Sequence, residues 1–355
     1  MSNCLAPTLY RLPAEWEQQE AVLLSWPHAD SDWCDILDWV QSCYIEIAVN
    51  ISRYAKVIIV APDTSIPENQ LKGKCDSNRI IFVEIPTNDT WTRDFGPLTV
   101  ESGNEKILLD FCFNGWGLKF ASDKDNLVTQ RLKRDNIFAA KCMNRRGFVL
   151  EGGSVESDGK GTILTTAECL LSPNRNAELT REEIERYLKS VFGANHFLWL
   201  KSGALEGDDT DCHIDTLARL APDNTIVYVA PPSDPADPHY GPMTCMQTEL
   251  RQLRNINGKP FRLVPLPFAR PVFDTDNNRL PATYANYLPL NQAVLVPLYN
   301  DMENDNIALE TIQKVFPDRK IIGIDCTALI QQHGSLHCAT MQMPYGIINN
   351  DLWKK

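Results

Sequence analysis

AVLVPLYN (293–300), followed by KIIGIDC (320–326), is the pair of stretches on which the fold turns. Each is a short run of aliphatic and β-branched residues bounded by Pro, Gly, Asn or Asp, which is how a buried strand reads. The same pair recurs along the chain. VIIVAP (57–62) is followed by RIIFVEIP (79–86), and TIVYVAPP (225–232) by FRLVPLPF (261–268). KILLDFCF (106–113) runs to GFVL (147–150), and TILTTAE (162–168) to FLWL (197–200). Five strand–helix–strand units result, of an α/β class. Each would need neighbours to bury its apolar faces, and five weak repeats can close into a ring. No linker or composition break divides them, so residues 1–355 read as one domain.

Helix signals fall between the strands. Trp33, Leu37, Val40, Tyr44, Ile47 and Ile51 recur at helical spacing, and core packing explains them. Thr180 with Glu183 forms a capping box before IERYLKSVF. Thr244 with Gln247 has the same form before LRQLRNI, with Gly258 beyond as a stop.

Composition excludes several classes. The chain has 355 residues, 43% hydrophobic and 23% charged, ordinary for a globular protein. No apolar run approaches the ~18 residues of a membrane helix, and Met1–Pro13 has no secretory pattern. Cys4 lacks the apolar lead-in of a lipid-anchored cysteine. A net charge of −12, from 34 basic and 46 acidic residues, argues against nucleic acid and suits a cationic partner. Eleven cysteines, an odd number with no CxxC pair, suggest reduced thiols in the cytoplasm. Cys43, Cys112 and Cys326 sit in apolar segments and read as buried hydrophobes. Nothing fixes the oligomeric state, which leaves room for a homo-oligomer.

The polar clusters follow the closing strand of four of the five units. TNDTWTRDFGP (87–97), EGGS (151–154), EGDDTDCHID (206–215) and HGSLHCAT (333–340) would meet if equivalent strand ends meet. Asp94, Glu151, His213, Asp215 and Cys338 would then share one place, delivered by loops on a rigid scaffold. Singly, each has a plainer role. Cys338 can be inert filler, His213 a satisfied core histidine, Asp94 a partner of Arg93, Glu151 a turn residue and Asp215 a helix cap. Together they suit a guanidinium, which is planar, cationic and able to give two parallel hydrogen bonds to a carboxylate. Asp94 and Asp215 would clamp it, a Cys338 thiolate would attack its central carbon, and His213 would move protons. Glu151 would hold the imidazole or bind a substrate nitrogen. This chemistry needs no metal and no cofactor. Two rivals use the same residues. A zinc site of Cys212, His213, His337 and Cys338 would need adjacent ligands to reach one ion, whereas zinc pairs are spaced by about two to four residues. A thiol protease needs oxyanion donors rather than carboxylates.

WTRDFGP, LEGGSVESDGKGTILTTAECLLSPNRN, HIDTLARL and LHCATMQMP together resemble the agmatine deiminase and bacterial peptidyl-arginine deiminase family of guanidino-group-modifying enzymes. The likeness runs from about Glu15 to the C-terminus. It implies a five-bladed α/β propeller with pseudo-fivefold symmetry. It places the nucleophile on Cys338, the acid/base on His213, the guanidinium-binding aspartates on Asp94 and Asp215, and the family glutamate on Glu151. Trp91 and the acidic stretch Asp208-Asp209, Asp209 above all, would receive the remote ammonium of agmatine, and Trp116 of FNGWG would border the pocket. The implied activity is hydrolysis of agmatine to N-carbamoylputrescine and ammonia, a step of polyamine synthesis. The alternatives are an arginine or peptidyl-arginine deiminase, an amidinotransferase, or a non-enzymatic guanidinium- or polyamine-binding protein. This chain departs from the family in two places. QHGSLHC stands for GGGNIHC before the cysteine, and Asp211-Cys212 stand for Asn-Gly before the histidine.

Overall fold

The computed structural model describes residues 10–353, so Cys4 lies outside the described residues. Five small sheets organise the chain. Each of the five expected units holds a parallel strand pair. In the second, however, the partner of Glu105–Cys112 begins at Lys141, ahead of the expected GFVL, and of that stretch only Val149 pairs, past a register shift. A parallel pair cannot be joined by a tight turn, which is why a helical crossover separates its members. The fifth pair shows the local logic. Ala293–Leu298 buries five of its six residues and pairs in register with Lys320–Asp325, and the helix Met302–Val315 carries the chain across.

The repeats concealed at least one further strand per sheet, and two in each four-stranded sheet, in one of which Tyr10–Arg11 also pairs with Leu98–Ser102. Leu98–Ser102, Val155–Ser157, Ala218–Ala221 and Leu288–Pro289 each run antiparallel beside a parallel pair. In the remaining sheet that place is taken from the far end of the chain. Met341–Pro344 lies antiparallel to Gln19–Ser25, which is parallel to Lys56–Ala61, itself parallel to Ile80–Glu84. Gln19–Ser25 is wholly buried.

The crossover helices also join one sheet to another. Leu37–Ser52 packs on Lys320–Asp325, where the Cys43 thiol donates to the Asp325 carbonyl at 3.2 Å. Met302–Val315 packs on Arg262–Leu266, and Tyr240–Gln252 on His196–Leu200. Tyr187 of Arg181–Phe192 stacks on Phe148 of Lys141–Val149 at 4.2 Å. Arg131 of Val128–Arg134 donates to the Pro86 carbonyl just past Ile80–Glu84 at 3.0 Å. Four of these helices meet the closing strand of a sheet other than their own, and Val128–Arg134 reaches the segment just past one. One apolar core runs through most of the sheets, and a second, with Leu164, Leu200, Ile226, Met243 and Met246, lies under Tyr240–Gln252.

The capping box at Thr180 forms, with Glu183 returning to the Thr180 backbone, and Gly193 ends that helix at φ +68°. The box expected at Thr244 does not. That helix begins at Tyr240, so Thr244 lies inside it, where its carbonyl accepts from Thr248. Pro242 tolerates a first turn because the missing N–H there would have no partner in any case. The helix ends at Gln252, short of Gly258, which sits in the turn before Arg262–Leu266. Cys43 and Cys326 are buried as expected, but Cys112 is only half-buried. The ten described cysteines are unpaired. Among the described residues no helix is long and apolar enough to cross a membrane.

Candidate active site

The chain passes from one sheet to the next five times, and each passage delivers polar groups inward. The short helix Thr92–Phe95 carries Asp94 after the first sheet. Glu151 precedes the turn Gly152–Ser154, and His213 precedes the turn Ile214–Thr216, which holds Asp215. Cys338 lies before Met341–Pro344. The passage that showed no cluster in sequence, between Leu266 and Leu288, supplies Asn286. Its Nδ2 donates to Cys338 Sγ at 3.2 Å, and its Oδ1 accepts the backbone N–H of Cys338 at 3.2 Å and of His337 at 2.8 Å.

Gly153 measures how tightly these loops converge. The point where a Cβ would sit on it lies 2.7 Å from His213 Nδ1, 3.0 Å from Asp94 Oδ1 and 3.1 Å from Asp215 Oδ2. Asp215 Oδ2 in turn lies 3.7 Å from Cys338 Sγ. Asp94, His213, Asp215 and Cys338 are therefore brought together, all of them buried. Asp94 accepts from Trp116 Nε1 at 2.9 Å and from the Gly153 N–H at 3.0 Å. Trp116 reaches it from a left-handed backbone (φ +54°). Glu151 stands behind, with both oxygens on Arg175 Nε at 2.8 and 3.1 Å. It makes no hydrogen bond to His213, whose two ring nitrogens have no hydrogen-bond partner, although Nδ1 lies 3.6 Å from Asp94 Oδ1. Asp215 Oδ1 is likewise buried and unpartnered. Orphan groups of this kind cost about 1–3 kcal/mol each, so the site is built around something that would satisfy them.

Burial dominates the electrostatics. It raises the Asp94 carboxyl to about 8, helped by Asp215 and opposed by Trp116. Burial and the nearby acids Asp215 and Asp94 push the Cys338 thiol well up. Burial drives the His213 imidazole down to about 3, against the pull of Asp215. For Asp215 burial acts upward too, yet the hydrogen bond and charge of His337 bring it below the usual carboxylate range. Burial raises Glu151 although Arg175 opposes it. Without a cation the site thus holds a thiol, a neutral imidazole and a strained set of acids.

A pocket of about 420 Å³, part of it open to solvent, leads from the surface to Asp94 and Cys338. Trp91, Trp116 and Phe120 wall it, and Asp32, Asp89 and Asp209 add acids. Trp91 lies against Trp33 and closes on Gly334, where a Cβ would come within 2.4 Å of the indole. This explains a glycine in QHGSLHC. Asp209, at the mouth, lies 3.9 Å from His333 Nε2. Asp211 and Cys212 both stand at φ +63°, a geometry that favours the family's Asn-Gly. Here the Asp211 carboxylate offsets the strain by accepting from Arg175 (2.5 Å) and Lys119 (2.6 Å).

The adjacent pairs Cys212-His213 and His337-Cys338 do not form a metal quartet, since the His337 nitrogens face Asp215 and Glu15. Two other groupings have metal-like spacing, Glu151–Cys169–His213 and Glu15–Glu156–His337. Arg175 occupies Glu151 in the first, and Arg219 holds both acids in the second. Sequence reading missed Asn286, Arg175 and Arg219, and saw in His337 only half of a metal pair. The fifth passage was the signal for Asn286, because four equivalent loops already carried polar groups.

Residues 11–344 match the model of the Porphyromonas-type peptidyl-arginine deiminase family. Among solved structures, the "Putative Arginine Deiminase from Porphyromonas gingivalis" is 49% identical, with a TM-score of 0.91 over 96% of this chain and 100% of that one. A C. jejuni agmatine deiminase with substrate bound is 38% identical, with a TM-score of 0.88 over 96% of this chain and 97% of that one. An Enterococcus faecalis agmatine deiminase is 30% identical, with a TM-score of 0.85 over 97% and 99%.

Proposed function

This chain belongs to the Porphyromonas-type peptidyl-arginine deiminase family of guanidino-group hydrolases, and from that premise we propose that it is an agmatine deiminase. It would convert agmatine and water to N-carbamoylputrescine and ammonia, a step toward putrescine. One observation carries the reading. Both His213 nitrogens and Asp215 Oδ1 are buried without hydrogen-bond partners beside Cys338, at the base of an acid-walled pocket.

The guanidinium would place its N–H groups on Asp94 and Asp215, with its central carbon over Sγ. Its charge relieves the repulsion among the acids, so Asp94 ionises and the thiolate becomes accessible. His213 is neutral in the empty site and would accept the proton of Cys338 once ionised Asp94 and Asp215 beside the ring stabilise the imidazolium. The thiolate attacks the carbon, and a tetrahedral adduct forms. His213 gives its proton to the departing nitrogen, and ammonia leaves as the carbon–nitrogen bond breaks. Water then attacks the thiouronium carbon while His213 takes its proton, and the carbon–sulfur bond breaks to restore Cys338. Glu151 is held by Arg175, whose guanidinium opposes a charge on the imidazole.

The pocket favours agmatine over arginine. Asp32, Asp89 and Asp209 suit a distant ammonium, and Trp91 and Trp116 offer π faces. Among the described residues lining the pocket there is no Lys or Arg to meet an α-carboxylate. The arginine deiminase name of the P. gingivalis protein favours the second reading, and a substrate panel separates the two. With agmatine, arginine and an arginine-containing peptide, agmatine should show the highest kcat/KM for ureido product and ammonia. Cys338→Ala should lose turnover yet still bind agmatine. Faster turnover of free arginine would defeat the substrate assignment, and an active Cys338→Ala enzyme would defeat the nucleophile. We also infer that the five sheets, joined by their crossover helices, close as a five-bladed propeller forming one catalytic domain over residues 1–355. Unpaired cysteines suit the cytoplasm.

A further inference from the structure

The steps above use Cys338 and leave the residue before it idle. His337 is 1% exposed. Its Nδ1 lies 2.7 Å from Asp215 Oδ2. Its Nε2 lies 2.8 Å from Glu15 Oε2 and 3.0 Å from Arg219 Nη2. An ionised carboxylate only accepts, so Nδ1 carries a proton toward Asp215, while Nε2, set between the acceptor Glu15 and the donor Arg219, can either donate to the first or accept from the second. That bond commits Oδ2, the oxygen nearest Cys338 Sγ, and leaves Oδ1 the unpartnered one.

We propose that His337 is a positioning residue of the reaction. By donating from Nδ1 to Asp215 Oδ2 it fixes the carboxylate beside Cys338 and keeps Oδ1 free for the guanidinium. The inference rests on the guanidinium-hydrolase reading. The far side of the ring is anchored. Glu15 accepts from Arg93 at 2.9 Å and from Arg219 at 2.5 Å. Arg219 also binds Glu156 and donates to the carbonyls of Ala285 and Tyr287, which flank Asn286. Arg93 precedes Asp94 in the chain. One buried cluster therefore braces both clamping aspartates, the nucleophile loop and the Asn286 loop. The charged groups facing the ring are Asp215, Glu15, Glu156, Arg219 and Arg93. Burial and the two guanidinium groups disfavour its protonated form, and Glu15 and Asp215 oppose them.

Two substitutions separate positioning from packing. An asparagine amide falls near the Nδ1 position and can still donate to Asp215, whereas a glutamine amide reaches the Nε2 side. His337→Asn should keep kcat/KM for agmatine within about tenfold of the parent. His337→Gln should lose roughly a hundredfold, with KM raised and kcat lowered together. Equal losses in the two variants, or a larger loss in His337→Asn, would reduce His337 to packing and overturn the proposal. Ring-nitrogen NMR of the unsubstituted protein needs no variant to fold. His337 Nδ1 should carry a proton throughout the pH range of activity, and a ring protonated on Nε2 alone would overturn the proposal. The NMR result stands whether or not agmatine is the substrate, so failure of the function reading remains distinguishable.

Discussion

At the scale of the residue, Asp94 is where energetics and function meet. Burial holds its carboxyl near 8 in the empty site, so the folded protein keeps a proton that the unfolded chain loses near ~4. Fewer protons are then bound on unfolding, and this group's contribution to stability falls as pH rises from about 4 to about 8. A bound guanidinium reverses the balance by stabilising the charge. Agmatine binding at pH 7 should therefore release about one proton, measurable by calorimetry in buffers of different ionisation enthalpy. No release would show that Asp94 is already ionised without substrate. Asp94→Asn should lower kcat/KM by roughly 10²- to 10³-fold, because an amide NH2 would face a guanidinium NH2. A steady-state assay that found parental activity would remove Asp94 from the clamp. Asp94, Glu151, His213, Asp215 and Cys338 were legible in sequence because each follows a recognisable strand and its chemistry is unusual there. Asn286 was not, since asparagine is a common loop residue and its value lies in reaching the thiol from a loop some fifty residues away. His337 was legible only as a neighbour of Cys338, because its meaning depends on Glu15, at the other end of the chain.

Among the elements, the passage Gly152–Ser154 shows how a turn sets a site. A side chain at Gly153 would crowd His213, Asp94 and Asp215 at once, each within 3.1 Å of the new carbon. Gly153→Ala should therefore cost activity out of proportion to stability. We expect kcat/KM to fall about 10²-fold, as small misplacements of reacting groups do, while overpacking lowers the urea unfolding midpoint by the equivalent of about 1 kcal/mol. Equal activity at equal stability would mean that these groups shift without consequence. The opening strands of the parallel pairs were readable because burial leaves them as continuous apolar runs, whereas Lys141–Val149 is mostly half-buried or exposed and was read only at its end. The antiparallel companions of these pairs were not readable, being as short as the two residues Leu288–Pro289. The start of Tyr240–Gln252 was misread because a capping pattern inside a helix looks like one at its end. Gly334 is tied to one surface, the indole of Trp91, and the repeat pattern held no trace of that contact.

For the molecule as a whole, charge and topology matter most. A net charge of −12 and a pocket walled by Asp32, Asp89 and Asp209 should draw a cationic substrate inward. Raising ionic strength from about 0.02 to 0.3 M shortens the screening distance, so kcat/KM for agmatine should fall several-fold while kcat changes little. A flat response in initial-rate assays would mean that the acids act only at contact range. Topology has a consequence of a different kind. Met341–Pro344 fills its sheet beside Gln19–Ser25, and Cys338 lies three residues before it. Among the described strands that one is the last in chain order, so during synthesis the loop that carries the sulfur is made after the strands that position the acids and the imidazole. A half-made chain can hold its acids and its imidazole, but it carries no armed thiol, and arrested translation products should be chemically silent.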